Sequence, residues 1–217
     1  MPETINPSEV LTIMFVDIAS STKTTAKRDT ELLHQLQEVF EKLSRRIIRR
    51  YEGNLIKKIN DAFLITFHSA TNALLSAIEL QAAFAHYNTK NKPEIKIRIV
   101  VHTGEIVHRQ NDISGEAVKT ASRMGHVAKA SDIIFSEASF LTMDQNEIPY
   151  QRVGYRTLSG LRYPLRLYKV TSKYTEIMQT RRLHRREAAK FKSVILLLLW
   201  LGLVTVAGYL LLMYWLF

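Results

Sequence analysis

Hydrophobic residues recur with two different periods along the first part of the chain. Residues 11–16 are apolar and β-prone, and they end at Asp17. Residues 29–51 carry apolar side chains at helical spacing, which predicts an amphipathic helix. Residues 55–59 and 62–67 flank an Asn-Asp pair, a pattern typical of a tight β-hairpin. This part of the chain is therefore predicted to form a strand, a long helix and a hairpin.

The same alternation continues beyond the hairpin. A second amphipathic helix is predicted over residues 73–84, and residues 95–101 alternate as a half-buried strand does. We expect Thr103 and Gly104 to stop that strand and residues 105–109 to return as its hairpin partner. The pattern then predicts a short helix over residues 115–127 and short strands over residues 132–136, 150–155 and 165–170. Helices packed against a sheet, in an α+β or α/β fold, account for this order.

The C-terminal end differs from the rest. Residues 193–217 contain no charged side chain, whereas residues 181–192 contain six Lys and Arg and one acid, Glu187. An apolar helix over residues 194–217 would be about 36 Å long, enough to cross a hydrocarbon core of roughly 30 Å. We predict a folded domain over residues 1–170, a basic juxtamembrane connector over 171–192 and a single transmembrane helix over 193–217. A buried core helix is the alternative, but one domain could not cover it on every side.

Most of the net charge of +10 lies in the connector and the two residues before it. Residues 169–192 hold eight Lys and Arg against two acids, or +6. Basic residues before a span keep the preceding domain in the cytoplasm, so the folded domain is expected there, with the last residues outside. Contact with the lipid bilayer is favoured over nucleic acid as the role of these charges.

Composition also excludes several kinds of site. The chain has no cysteine, which rules out disulfides, thiolate metal sites and a cysteine nucleophile. It has no glycine-rich phosphate loop of the GxxxxGK type. The histidines form no pair with metal-ligand spacing, and His102 is expected to be packed or bonded in a turn.

Two carboxylates and two cations are the candidate chemical groups. Asp17 ends the first strand and Asp61 lies in the hairpin tip, so pairing of the strand beside the hairpin would bring both to one sheet edge. Oxygen ligands placed there would hold hard divalent ions, although an ordinary Asn-Asp turn is the alternative. Lys119 and Arg123, four residues apart on a predicted helix, form either a solvated face or a phosphate contact.

Five short sequence segments between residues 9 and 170 help to choose between these roles for the carboxylates and cations. They are FVDIASST at 15–22, KKINDAF at 57–63, RIVVHTGE at 98–105, DISG at 112–115 followed by ASRM at 121–124, and LSGL at 158–161 with LYKV at 167–170. Together they resemble the signatures of class III adenylate/guanylate cyclase catalytic domains. The resemblance implies a ferredoxin-like, palm-type α+β domain that works as a homodimer, with active sites at the subunit interface.

The resemblance also implies a reaction and its cofactors. Two Mg²⁺ or Mn²⁺ ions bind a nucleoside triphosphate, the ribose 3′-hydroxyl attacks the α-phosphorus, and pyrophosphate leaves. Asp17, Asp61 and the backbone carbonyl of Ile18 match the metal ligands. Lys57 and Asp112 match the base-recognising pair. Because adenine offers a ring-nitrogen acceptor and an amino donor, a lysine and an aspartate complement it, and ATP is the expected substrate.

Two residues of the predicted short helix bear on which of two functions the chain has. Arg123 matches the arginine that stabilises transition-state charge on the phosphates. Lys119 stands where the family has an asparagine that orients the ribose, and an ammonium group can only donate hydrogen bonds. The first hypothesis is a membrane-anchored adenylate cyclase making cyclic AMP. The alternative is a catalytically weak or inactive cyclase-like module that binds nucleotide and signals at the membrane.

Overall fold

A computed structural model describes residues 8–19, 30–59, 61–109 and 112–171 of the chain. In these residues the elements follow the predicted order closely. They are β1 (Ser8–Ile18), α1 (Thr30–Arg50), β2 (Asn54–Ile59), β3 (Ala62–Phe67), α2 (Ala70–Asn88), β4 (Ile97–Arg109), β5 (Asp112–Ser114), α3 (Glu116–Met124), β6 (Ile133–Ser136), α4 (Glu137–Thr142), β7 (Tyr150–Arg156) and β8 (Leu165–Val170).

The strands form one mixed sheet in the order β2-β3-β1-β4-β6-β8-β7, with β5 paired to β4. The neighbours β2, β3, β1 and β4 are all antiparallel. With α1 and α2 they make a βαββαβ unit whose strand order is that of a ferredoxin-like core. β6 then joins β4 in parallel, and β8 and β7 extend the sheet. The predicted α+β fold with a ferredoxin-like core is confirmed.

The two faces of the sheet bury different sets of side chains. Neighbours in β3 illustrate the division, because successive residues of a strand point to opposite faces. Phe63 and Ile65 pack against α1 and α2 in the largest cluster, whereas Leu64 packs with Ala117 and Ala121 of α3. α1 and α2 thus cover one face of the sheet, and α3 covers part of the other.

The expected stop at Thr103 and Gly104 is wrong. β4 runs without interruption from Ile97 to Arg109, and its hairpin partner is the short β5 instead. Thr103 and Gly104 pair with Thr12 and Leu11 in the β1–β4 ladder. A Cβ on Gly104 would lie 2.9 Å from the Cβ of Ala117, so this glycine allows α3 to approach the strand. Close helix packing, not a turn, explains the glycine.

His102 is held by hydroxyl groups, as expected for a packed histidine. Its Nδ1 lies 2.8 Å from Ser136 Oγ, within a chain of hydroxyl contacts that continues to Ser139, Thr103 and Thr12. Burial lowers the pKa of His102 from 6.5 to about 4. The imidazole is therefore neutral at neutral pH in the folded protein.

Acidification should consequently weaken the fold through His102. The unfolded chain takes up the proton near pH 6.5 and the folded chain only near pH 4. Stability is thus lost as pH falls through this window, by about 2 kcal/mol between pH 7 and pH 5. Chemical denaturation at both pH values should show His102→Gln losing about 2 kcal/mol less than the natural protein. Parallel pH dependence in the two proteins would contradict a neutral, buried His102.

The predicted connector and transmembrane helix lie outside the described residues, apart from Thr171. No helix within the described ranges is long and apolar enough to cross a membrane.

Candidate active site

Pairing of β1 with β3 brings the two predicted metal-binding aspartates to one edge of the sheet. Asp17, next to the end of β1, is opposite Ala62, the first residue of β3. Asp61 directly precedes Ala62 in the chain. The β2–β3 pairing of Ile59 with Ala62 shows that the hairpin connection is two residues long. The predicted meeting of Asp17 and Asp61 is therefore present in the structure.

Both aspartates line a cleft of about 610 Å³. Lys119 and Arg123 of α3 line the same cleft, together with Arg98 of β4. The wall also includes the apolar side chains of Phe15, Ile59, Val100 and Val118 and the polar side chains of Ser122 and His126. Two carboxylates thus share a depression with three cationic side chains, an arrangement suited to a polyanion bound through divalent ions.

α3 places its two predicted functional cations on one side. Its buried residues include Ala117, Ala121 and Met124, which pack on the sheet. Lys119 and Arg123 are four residues apart, so they lie on successive turns of the same face. Lys119 Nζ donates to Glu116 Oε1 at 2.7 Å, and both side chains are exposed. The ammonium and hydrogen bond of Lys119 lower the pKa of Glu116, which keeps that carboxyl ionised.

Each aspartate of the cleft is already held by a neighbouring polar side chain. Arg98 lies opposite Asp17 in the β1–β4 ladder. Its Nε and Nη2 both donate to Asp17 Oδ2, at 3.0 and 2.6 Å. Gln37 of α1 donates from Nε2 to Asp61 Oδ1 at 2.9 Å. Charge-assisted bonds of this kind restrict the carboxylates to defined orientations before any ligand arrives.

The sequence pattern assigns no role to Arg98 or to Gln37. Arg98 opens the block at 98–105, and its charge within a half-buried strand is the signal that distinguishes it. Gln37 carries no such signal, because its contact depends on how α1 packs over the hairpin.

The donor set fits Mg²⁺ or Mn²⁺. Mg²⁺ is usually bound by one or two carboxylates together with substrate phosphates rather than by a complete protein cage. Within the described part of the chain, no group of three or more His, Cys, Asp or Glu could hold a metal alone. Asp17 and Asp61 supply two hard oxygen ligands, and the predicted backbone ligand, Ile18, follows Asp17 directly as the last residue of β1. The other ligands would have to come from the substrate.

The two predicted base-recognising residues form an ion pair with each other. Lys57 Nζ lies 2.5 Å from Asp112 Oδ2, and both side chains are partly exposed. The hydrogen bond from Lys57, helped by the backbone N–H of Ile113, lowers the pKa of the Asp112 carboxyl. An ionised carboxylate can only accept hydrogen bonds. Neither residue is among those that line the cleft of Asp17 and Asp61.

Hairpin register determines which of two adjacent lysines faces Asp112. Lys57 is opposite Leu64, on the face covered by α3, whereas Lys58 is opposite Phe63, on the face covered by α1. Side chains directly opposite one another in a ladder lie on the same face. Lys58 accordingly lies 3.8 Å from a carboxylate oxygen of Glu41 in α1.

Parts of several known proteins are similar in sequence to this chain. A 29% identical stretch of 162 residues is found in serine/threonine-protein kinase pkn2 of Myxococcus xanthus, covering 73% of this chain and 19% of that protein. An adenylate cyclase of Streptomyces coelicolor is 30% identical over 138 residues, 62% of this chain and 35% of that protein. The chain thus spans about a fifth to a third of the length of these curated relatives.

A solved structure shares the fold. The adenylate/guanylate cyclase/hydrolase from Silicibacter pomeroyi superposes with a TM-score of 0.68 at 25% identity, covering 76% of this chain and 98% of that one. A family model described as the adenylate and guanylate cyclase catalytic domain matches residues 3–172. The match includes the carboxylate cleft, α3 and the ion pair of Lys57 with Asp112. The chain belongs to the adenylate and guanylate cyclase catalytic domain family.

Proposed function

We propose that this chain is a nucleotide cyclase that converts ATP to 3′,5′-cyclic AMP and pyrophosphate. The observation that carries the proposal is the single cleft in which Asp17 and Asp61 face Arg123, Lys119 and Arg98. Two carboxylates alone would repel a triphosphate, and cations alone would bind it without activating a hydroxyl. The combination provides for both metal ions and the charge of the substrate.

The proposed roles follow from the chemistry of each side chain. Two divalent ions, held by Asp17, Asp61 and the carbonyl of Ile18, would lower the pKa of the attacking hydroxyl and neutralise charge on the leaving group. Arg98 and Gln37 hold the two carboxylates in place. Arg123 stabilises negative charge on the phosphates as it grows in the transition state.

Base recognition is assigned to the ion pair of Lys57 with Asp112. Asp112, kept ionised by Lys57, accepts from the amino group of adenine, and Lys57 donates to a ring nitrogen. A guanine would present its carbonyl oxygen to that carboxylate, which has no proton to donate. The pair therefore supports ATP over GTP.

The active unit is proposed to be a homodimer. In a single chain, Lys57 and Asp112 are not among the residues that line the cleft of Asp17 and Asp61. A nucleotide bound by all four would join the cleft of one copy to the Lys57–Asp112 pair of a second. The partly exposed apolar wall of the cleft, which includes Phe15 and Val118, is suited to such an interface.

Membrane anchoring remains part of the proposal. The uncharged segment 193–217 would span the bilayer, and the basic residues before it would keep the catalytic domain in the cytoplasm. Two copies in one membrane would meet at a raised local concentration.

A second candidate is a cyclase-like module that binds nucleotide with weak or no turnover. Lys119 favours it, because this lysine occupies the position of the family's ribose-orienting amide and is engaged by Glu116. Loss of one preorganised transition-state donor typically lowers the rate by about 100- to 1,000-fold.

Product analysis separates these functions. The purified, detergent-solubilised full chain is incubated with Mn²⁺ and each of the four ribonucleoside triphosphates, and products are identified by mass. Cyclic AMP from ATP is the expected result. Cyclic GMP alone would refute the assigned base preference, and binding of nucleotide without any cyclic product would establish the second candidate.

Substitution of Lys119 tests its contribution. We expect Lys119→Asn to raise kcat at least about tenfold, since the amide both donates and accepts with fixed geometry. Glu116→Gln, which frees Lys119 without supplying an amide at position 119, is the matched control and should leave kcat within about threefold. A fall in kcat on Lys119→Asn would show that the ammonium has a role of its own with the polyphosphate.

A further inference from the structure

The connection between β7 and β8 reaches the guanidinium group of Arg123. Leu158 in this connection is buried in a core cluster with Met124 of α3. A turn closes behind it, with the N–H of Leu161 donating to Leu158 O at 3.0 Å. Within that turn, Gly160 accepts a hydrogen bond on its carbonyl oxygen from Arg123 Nη1 at 3.1 Å. The turn and the helix that carries Arg123 therefore pack into the same hydrophobic cluster.

The absence of a side chain at position 160 makes this contact possible. A Cβ there would lie 2.8 Å from Nη2 of Arg123, closer than real Cβ atoms come, and 3.1 Å from its Cζ. Gly160 also has φ of +74°, in the left-handed region that other residues avoid. Arg123 consequently lies directly against the Gly160 backbone.

Arg123 lines two cavities. It lines the cleft that holds Asp17 and Asp61, and it also lines a second cavity of about 420 Å³ with Thr157, Ser159 and Gly160. An unrestrained arginine has many rotamers, some directed into the cleft and others away from it. The carbonyl oxygen of Gly160, on the side of the second cavity, restricts Arg123 to the rotamers that can reach it.

We propose that Gly160 is a positioning residue for Arg123. Its carbonyl fixes one N–H of the guanidinium, and its missing side chain leaves the space that the group occupies, so that the remaining N–H groups are presented to the cleft. The inference rests on the proposed function, in which Arg123 stabilises charge on the phosphates. Displacement of such a group by about 1 Å can lower the rate on the order of 100-fold.

Gly160→Ala is the test, with Gly154→Ala as its matched control. Gly154 also has positive φ, +94°, but a Cβ there would meet only Arg156 Nη1, at an ordinary 3.8 Å. Both variants therefore strain the backbone of the same region, and only the first displaces Arg123. Thermal unfolding should show similar stability losses. With ATP and Mn²⁺, Gly160→Ala should lower kcat about 10- to 100-fold with a smaller change in KM, while Gly154→Ala stays within about threefold of the natural protein.

A double mutant distinguishes positioning from general damage. In an Arg123→Ala background, adding Gly160→Ala should lower kcat no further, because the group that it displaces is already gone. An additional fall of the full size, or equal losses in Gly160→Ala and Gly154→Ala, would overturn the proposal.

One readout is independent of catalysis. The Nε–H resonance of Arg123, identified by its loss in Arg123→Ala, should shift in Gly160→Ala and stay in place in Gly154→Ala. If the natural protein makes no cyclic nucleotide, the proposed function fails, and this resonance still decides whether Gly160 holds Arg123. An unchanged resonance in Gly160→Ala would refute the inference.

Discussion

Asp17→Asn is expected to abolish metal-dependent cyclisation, with kcat falling at least about 1,000-fold. The asparagine amide has the size of the carboxylate and keeps an oxygen that can accept a hydrogen bond from Arg98. The paired ends of β1 and β4 should therefore remain folded. The amide lacks the negative charge that a divalent ion requires from a ligand in this cleft, which already contains three cationic side chains. Asp61→Asn is expected to act in the same way.

Two measurements check this result. Mn²⁺ binding, followed by titration calorimetry in the presence of a non-cyclising ATP analogue, should be lost together with activity. Asp144→Asn is the control, because Asp144 is exposed and its carboxylate accepts only a local bond from the N–H of Asn146 in the described chain. Full Mn²⁺ binding by Asp17→Asn would show that the ions are held elsewhere.

Two inactive variants should restore activity when they share a dimer. If each site takes its carboxylate cleft from one copy and its Lys57–Asp112 pair from the other, a dimer of Asp17→Asn with Lys57→Ala has one intact site and one doubly damaged site. Random pairing makes half of the dimers mixed, and each has one of two sites intact. Co-expression should therefore recover about a quarter of the natural activity.

A second pair of variants serves as the control for this co-expression experiment. Asp17→Asn co-expressed with Asp61→Asn leaves every site with only one of its two carboxylates, so that mixture should stay inactive. Separate affinity tags on the two chains show how much mixed dimer has formed. No recovery from Asp17→Asn with Lys57→Ala, despite abundant mixed dimer, would place both residues of one chain in the same site.

Most of the fold could be predicted because the decisive signals are local. The long helix and the hairpin that follows it are marked by hydrophobic period and by turn residues, and α1, β2 and β3 lie within a few residues of their predicted bounds. β4 could not be delimited in this way. Gly104 has the composition of a turn, but its role is to admit Ala117 of α3, a contact 13 residues further along the chain.

The candidate site, too, could be predicted only where its signals are local. The meeting of Asp17 with Asp61 follows from a two-residue hairpin connection, which the sequence shows, and from the pairing of β1 with β3, which the family resemblance implies. The groups that hold functional side chains could not be predicted, since their contacts span large separations. Arg98 reaches Asp17 across the β1–β4 ladder, and Gly160 reaches Arg123 from the connection between β7 and β8.

If Lys57 and Asp112 recognise the base as proposed, the register of the β2–β3 hairpin makes the length of a turn a determinant of substrate choice. Lys57 and Lys58 are chemically identical, and only their pairing with Leu64 and Phe63 directs one toward Asp112 and the other toward α1. A slip by one residue would exchange their faces. Natural or designed variation in this turn could therefore change base preference while every recognised side chain is retained.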